Sequence, residues 1–324
     1  MSEHSSGGVR AVLAALAANV GIAVTKFVAF AFTGSASMLA ESAHSLADSA
    51  NQLLLLLGRA RAQRTKTEQH PFGFGTERYF YAFVVAVVLF TAGAVFSGYE
   101  AIHKITHPEP VRTPAVAFAV LAVAIVAESL SLRTAVRESS RERQRSSWLA
   151  FIRRAKAPEL PAILLEDVAA LTGLVFALLG VALAVITGNG VWDGVGSLAI
   201  AVLLACVAVI LAVEMKSLLI GESASAEVVQ AIVGALEDGP EVERVIHLRT
   251  MHVGPESLLV AAKIAVRHDE TAAAIAAGID AAERRVRAAV PIADLIYLEP
   301  DLYRAAAADV TDPAIRAARL RPKG

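Results

Sequence analysis

Two stretches of this chain, Tyr79 to Tyr99 and Val168 to Trp192, contain no Asp, Glu, Lys or Arg. Each supplies the ~20 apolar residues that a bilayer-crossing helix needs. This constrains the fold more than any other feature, because a spanning segment must satisfy all its backbone polar groups internally and is therefore helical. Composition agrees. At 56% hydrophobic and 19% charged the chain departs from the roughly 45–50% apolar and 25% charged of an average soluble domain, which excludes disorder and a collagen-like or disulfide-rich scaffold. A net charge of −1 offers no argument for a nucleic-acid partner, and the single Cys206 allows neither an intrachain disulfide nor a thiolate metal cluster.

Uninterrupted apolarity predicts six helices, at about 9–32, 36–58, 79–103, 113–137, 160–187 and 191–219. The first is not a signal peptide: it exceeds a typical h-region, carries Lys26 and runs almost directly into the second. Loop charge gives orientation. Arg59, Arg61, Arg64, Lys66 and Arg78 follow span 2, and eight basic residues lie between Arg133 and Lys156, whereas the opposite side has only Lys104 and Arg112. By the positive-inside rule both termini face the cytoplasm or its equivalent. A bacterial inner membrane is the expected location, since no transit-like extension precedes the first span.

After Gly221 charged residues become frequent. The pattern predicts helix (Ala226 to Glu237), strand (Val242 to Met251), strand (Ser257 to Val266), helix (Glu270 to Val290) and strand (Asp294 to Glu299), with Gly254-Pro255 as the turn. This αββαβ order suits a ferredoxin-like α+β domain with two helices on one face of a three-stranded sheet. The expected organisation is a transmembrane domain over 9–220, a cytoplasmic α+β dimerisation domain over 221–301 and a loose tail over 302–324.

Ionisable residues inside lipid cost roughly 2.5–3.5 kcal/mol each by insertion scales and are functional candidates by default. Here they are Lys26, Glu41, His44, Asp48, Glu128, Glu166, Asp167 and Asp193. His44 and Asp48 are four apart, so a helix places both on one face. An imidazole with a carboxylate suits zinc and other borderline divalent metals; the alternative is a buried His–Asp pair joining two helices. Glu166 and Asp167 are adjacent and point about 100° apart, so an ideal helix does not aim both at one cation. One is expected to coordinate, the other to cap, to pair with Lys26 or to sit near the cytoplasmic mouth. Glu128 is a candidate proton carrier or a partner for Lys26, and Asp193 is expected to cap the last span.

Four motifs carry a resemblance. Ser37-Met-Leu-Ala-Glu-Ser-Ala-His44-Ser-Leu-Ala-Asp48-Ser-Ala-Asn51-Gln, then His70-Pro-Phe-Gly-Phe-Gly-Thr-Glu-Arg-Tyr, Asp193-Gly-Val-Gly-Ser and Glu299-Pro occur in this order relative to the six spans. Together they resemble the cation diffusion facilitator family of metal transporters, from about Val9 to Pro300. Ile163-Leu-Leu-Glu-Asp-Val-Ala-Ala-Leu-Thr-Gly173 and Tyr79-Phe-Tyr-Ala are similar to the zinc transporter 9-like branch.

The resemblance implies a homodimer that is not an enzyme, has no prosthetic group and exchanges Zn2+ for protons by alternating access. Mn2+, Fe2+, Co2+ or Cd2+ are alternative cargoes, and a non-transporting, membrane-anchored regulatory protein of the same fold is the alternative function. It implies a metal site of His44 and Asp48 with Asp167, and places Ile163 where the family has a histidine. The fourth position then falls to water, to a swung Glu166 or to the ion's hydration shell. In the soluble domain His247 occupies a family ligand position, but Ala262, Tyr297 and Glu299 replace the others, so no tight zinc site is expected there. His252 and His268 are expected to be solvated, and His70 to belong to a structural turn.

Overall fold

The computed structural model describes scattered helical residues between 16 and 31, then residues 36–108, 114–143 and 147–303; the side chains of residues 36–48 are outside the description. The expected first span lies largely outside the described residues, and so does nearly all of the expected tail. The chain divides into two compact units, one of residues 1–61 and 78–216, the other of 62–77 and 217–324.

The first unit is helical: α1 (Ala36–Ala62), α2 (Glu77–Thr106), α3 (Pro114–Arg143), α4 (Trp148–Arg154), α5 (Glu159–Thr187) and α6 (Val191–Ile220). Among the described residues α2, α5, α6 and the Pro114–Arg141 part of α3 are long and apolar enough to cross a membrane. They point large side chains outward, such as Val123 at 71% and Ile186 at 79% exposed. A surface of that kind is an aggregation hazard in water and ordinary in lipid. α2 contains a π-helical turn over Val85–Phe90, and α1 and α3 run beyond their expected ends into arginine-rich turns, whose long side chains carry their charge clear of the apolar zone.

Helix α5 stops at Gly188, which adopts φ 69° as a left-handed terminator. Asn189 then accepts from the Val191 N–H at 3.0 Å and caps α6, a role expected of Asp193. The glycines of Asp193-Gly-Val-Gly-Ser serve close packing. A Cβ on Gly196 would lie 2.9 Å from the Phe176 carbonyl and 3.3 Å from Gly180 Cα, on α5. A Cβ on Gly194 would meet Ile105 at 2.7 Å, on α2. Two residues apart on one helix, they admit two different neighbours.

In the second unit α7 (Ala226–Glu237) and α8 (Ala272–Ala289) accompany β1 (Arg244–Gly254), β2 (Ser257–Ala265) and β3 (Leu295–Asp301). β1 and β2 pair antiparallel with Arg249 opposite Ala261, and β2 and β3 pair parallel with Ala261 opposite Tyr297. The parallel pair needs a crossover, and α8 supplies it. Ile232 and Leu236 of α7 and Val286 of α8 bury against Leu248, Leu258, Val260 and Ile264 of the sheet. His252, expected to be solvated, lies in β1 and is buried, its N–H donating to the Glu222 carbonyl at 2.8 Å. The strand continues past the expected end at Met251 and carries it inside. Segment 62–77 also belongs here: a Cβ on Gly254 would fall 2.8 Å from Gly75 Cα, and Lys66 lies 3.6 Å from Asp294. His70 sits in its turn, exchanging backbone hydrogen bonds with Thr67 and accepting from Gly73 at 3.0 Å.

Candidate metal pathway

His44 and Asp48 both lie in α1 at helical spacing, with their side chains outside the description. The next turn toward the basic end is buried and polar. Ser49, Asn51 and Gln52 are each 5% exposed or less, and such groups in an apolar bundle require partners. Asn51 finds one across the bundle, its side-chain amide donating to Glu166 Oε1 at 3.2 Å. The neighbouring Asp167, 6% exposed, turns to another helix and accepts from the Ser131 hydroxyl of α3 at 3.0 Å. Consecutive helical residues thus reach different neighbours, Glu166 a side chain of α1 and Asp167 one of α3. Ile163, one turn before Asp167, is buried and offers only hydrocarbon. Glu128 is partly buried on α3, one turn before Ser131; Lys26 lies outside the described residues.

Two turns before Glu166 on the same helix, Glu159 receives a two-pronged hydrogen bond from Arg78. Nε lies 2.6 Å from Oε1 and the second nitrogen 2.8 Å from Oε2, with both residues buried. The bidentate guanidinium–carboxylate fork is the geometry that best offsets the cost of burying charge. As a sequence feature Arg78 reads only as one more loop cation. The signal for its pairing is an acid at the start of one apolar run and a base at the start of another. At the opposite end of the bundle Lys104 pairs with Asp193 at 2.9 Å, a tie between α2 and α6.

On the open face of the sheet Lys263 lies between His247 and Glu299 in the strand register. It contacts Glu299 at 2.9 Å and Asp301 at 3.2 Å, and these bonds raise its pKa. An ammonium thus lies between His247 and Glu299, two of the positions that the resemblance marks. Ala262 is buried on the helix-facing side. Among the described residues no group of three or more His, Cys, Asp or Glu side chains converges as for a metal.

Residues 12–220 match the cation efflux transmembrane domain. The chain is 34% identical over 256 residues to the proton-coupled zinc antiporter SLC30A9, mitochondrial, of Mus musculus, covering 78% of this chain and 45% of that protein. With the Homo sapiens protein of the same name it shares 35% over 231 residues, 71% of this chain and 41% of that one. With metal tolerance protein C4 of Arabidopsis thaliana it shares 27% over 264 residues, 81% and 57%. The chain therefore spans less than half the length of these mammalian relatives.

Proposed function

The chain belongs to the cation efflux, or cation diffusion facilitator, family in its zinc transporter 9-like branch, and from that premise we propose that it moves Zn2+ across a membrane by proton antiport with alternating access. The observation that carries this reading is the Asn51–Glu166 hydrogen bond. It brings a carboxylate of α5 to α1, one turn from Asp48. His44, Asp48 and Asp167 are the ligands, and Glu166, already turned toward α1, takes the tetrahedral position that Ile163 leaves vacant. A neutral imidazole with the carboxylates of Asp48 and Asp167 balances a divalent cation, Glu166 adds one negative charge beyond that balance, and protons compete for the same atoms near neutral pH.

The membrane domain has six spans over 9–220, and the domain over 221–301 is a ferredoxin-like dimerisation module of a homodimer, followed by the tail 302–324. The αββαβ order and the mixed sheet support the module. The family match supports the spans. Both termini lie on the side of the basic loops, in a proton-energised membrane. A bacterial inner membrane is the sequence expectation, and mitochondria are the location in the mammalian relatives' names. The buried Ile163 favours one second reading, a protein of this fold without transport.

Purified protein in proteoliposomes with an imposed proton gradient tests the proposal. Zn2+ flux that follows the gradient and exceeds that of Mn2+, Fe2+, Co2+ and Cd2+ supports it; binding without flux selects the second reading.

A further inference from the structure

Helix α2 ends at the face of the bundle opposite the Arg78–Glu159 fork, and there it carries two histidines that the transport site does not use. His103 and His107 are exposed and one turn apart. The helical spacing continues through both, since the His107 N–H donates to the His103 carbonyl at 2.8 Å. Their rings stack with centroids 5.3 Å apart and planes 26° apart, and Tyr99 extends the stack on the other side of His103 at 6.4 Å.

The Thr106 hydroxyl lies against both the helix carbonyls and the His107 ring. Its proton goes to a backbone carbonyl, with Ile102 O at 2.8 Å and His103 O at 3.2 Å. Toward His107 Nδ1, at 3.0 Å, the hydroxyl oxygen is then the acceptor. In the tautomer that satisfies this arrangement Nδ1 carries the ring proton, and Nε2 is the nitrogen with a lone pair for a cation. A hydrogen bond on the far nitrogen is what usually orients a metal-binding imidazole. The ionised groups on the same turns sum to a negative charge: Lys104 is engaged by Asp193 at 2.9 Å and Glu100 at 3.6 Å, two carboxylates against one ammonium.

We propose that His103 and His107 form a solvent-facing, two-imidazole site for a borderline divalent cation of the Zn2+, Ni2+ or Co2+ class, with water completing the coordination. Both side chains are exposed and one helical turn apart, so a change of rotamer suffices to bring the two Nε2 atoms to one ion. Imidazole selects these metals over Mg2+ and Ca2+, whose preferred ligands are oxygens. Two protein ligands hold an ion weakly and release it quickly, which suits the mouth from which cargo departs. That role rests on the transport reading; the binding does not.

The test is calorimetric titration of the full-length protein in detergent with Ni2+, in an Asp48→Ala background that disables the proposed transport site. The expected result is one weak equivalent of Ni2+. Its affinity falls at least tenfold in His103→Ala and in His107→Ala taken singly, and severalfold in Thr106→Val, which keeps both rings. Mg2+ is expected to give no heat from this site. An unchanged titration with both histidines replaced, or equal binding of Mg2+, overturns the assignment. Failure of Zn2+ flux in the unaltered protein bears on the transport reading alone, so the two failures are distinguishable.

Discussion

Arg78 and Glu159 meet in a buried fork, 2.6 Å and 2.8 Å across its two arms, that fastens the start of α2 to the start of α5. Removing one partner strands a charge in the apolar bundle. Arg78→Ala or Glu159→Ala is expected to cost about 3–5 kcal/mol, read as a lowered thermal midpoint in detergent. Arg78→Lys does not rescue, because an ammonium lacks the planar fork. The double change Arg78→Met with Glu159→Leu recovers most of the loss. A double variant that loses as much as the two single variants together would mean that the fork contributes nothing of its own.

Glu166 and Asp167 are expected to separate in transport. Asp167→Ala abolishes Zn2+ flux, Glu166→Ala weakens it, and Asn51→Ala falls between Glu166→Ala and the unaltered protein, because it removes only the amide that holds Glu166 toward α1. Flux assays on the three variants give the ranking. Equal, mild effects from Glu166→Ala and Asp167→Ala would place the α5 ligand elsewhere.

The α5–α6 contact predicts opposite fates for two glycines. Gly196→Ala drives a Cβ to 2.9 Å from the Phe176 carbonyl, an overpacking expected to cost ~1–3 kcal/mol. Gly173→Ala meets nothing nearer than Ile200 at 3.7 Å and is tolerated. Thermal midpoints of the two variants decide it.

Acid sensitivity of the second unit follows from Glu241. Burial raises its pKa, but a backbone hydrogen bond and Arg285, 2.5 Å away, outweigh burial and leave it lowered. A lowered folded pKa stabilises above the ordinary glutamate value of about 4.3, and that contribution is lost as pH falls through the folded value. Melting of the full chain between pH 7 and pH 3 should show a decline that Glu241→Gln flattens. An identical slope in the variant would remove Glu241 from the cause.

What the sequence made legible is what local pattern encodes. The apolar runs place α2, α5 and α6 and the start of α3 to within a few residues, and the alternation in 244–265 with the Gly254-Pro255 turn places the hairpin. Hidden were contacts between residues distant in the chain, such as Arg78 with Glu159, Asn51 with Glu166, and Gly75 against Gly254. Nothing in the local pattern at Arg78 distinguishes a buried fork from a loop cation, since its partner is 81 residues away. The same limit misplaced His252, whose burial depends on how far β1 runs beside β2, and gave Asp193 a capping role that Asn189 fills.

The most direct test of the transport proposal is Zn2+ uptake into proteoliposomes bearing a proton gradient, comparing the unaltered chain with Asp48→Ala. Uptake is expected to collapse in the variant and, in the unaltered chain, to stop when the gradient is dissipated. Uptake that persists undiminished in Asp48→Ala would contradict a metal site built on α1.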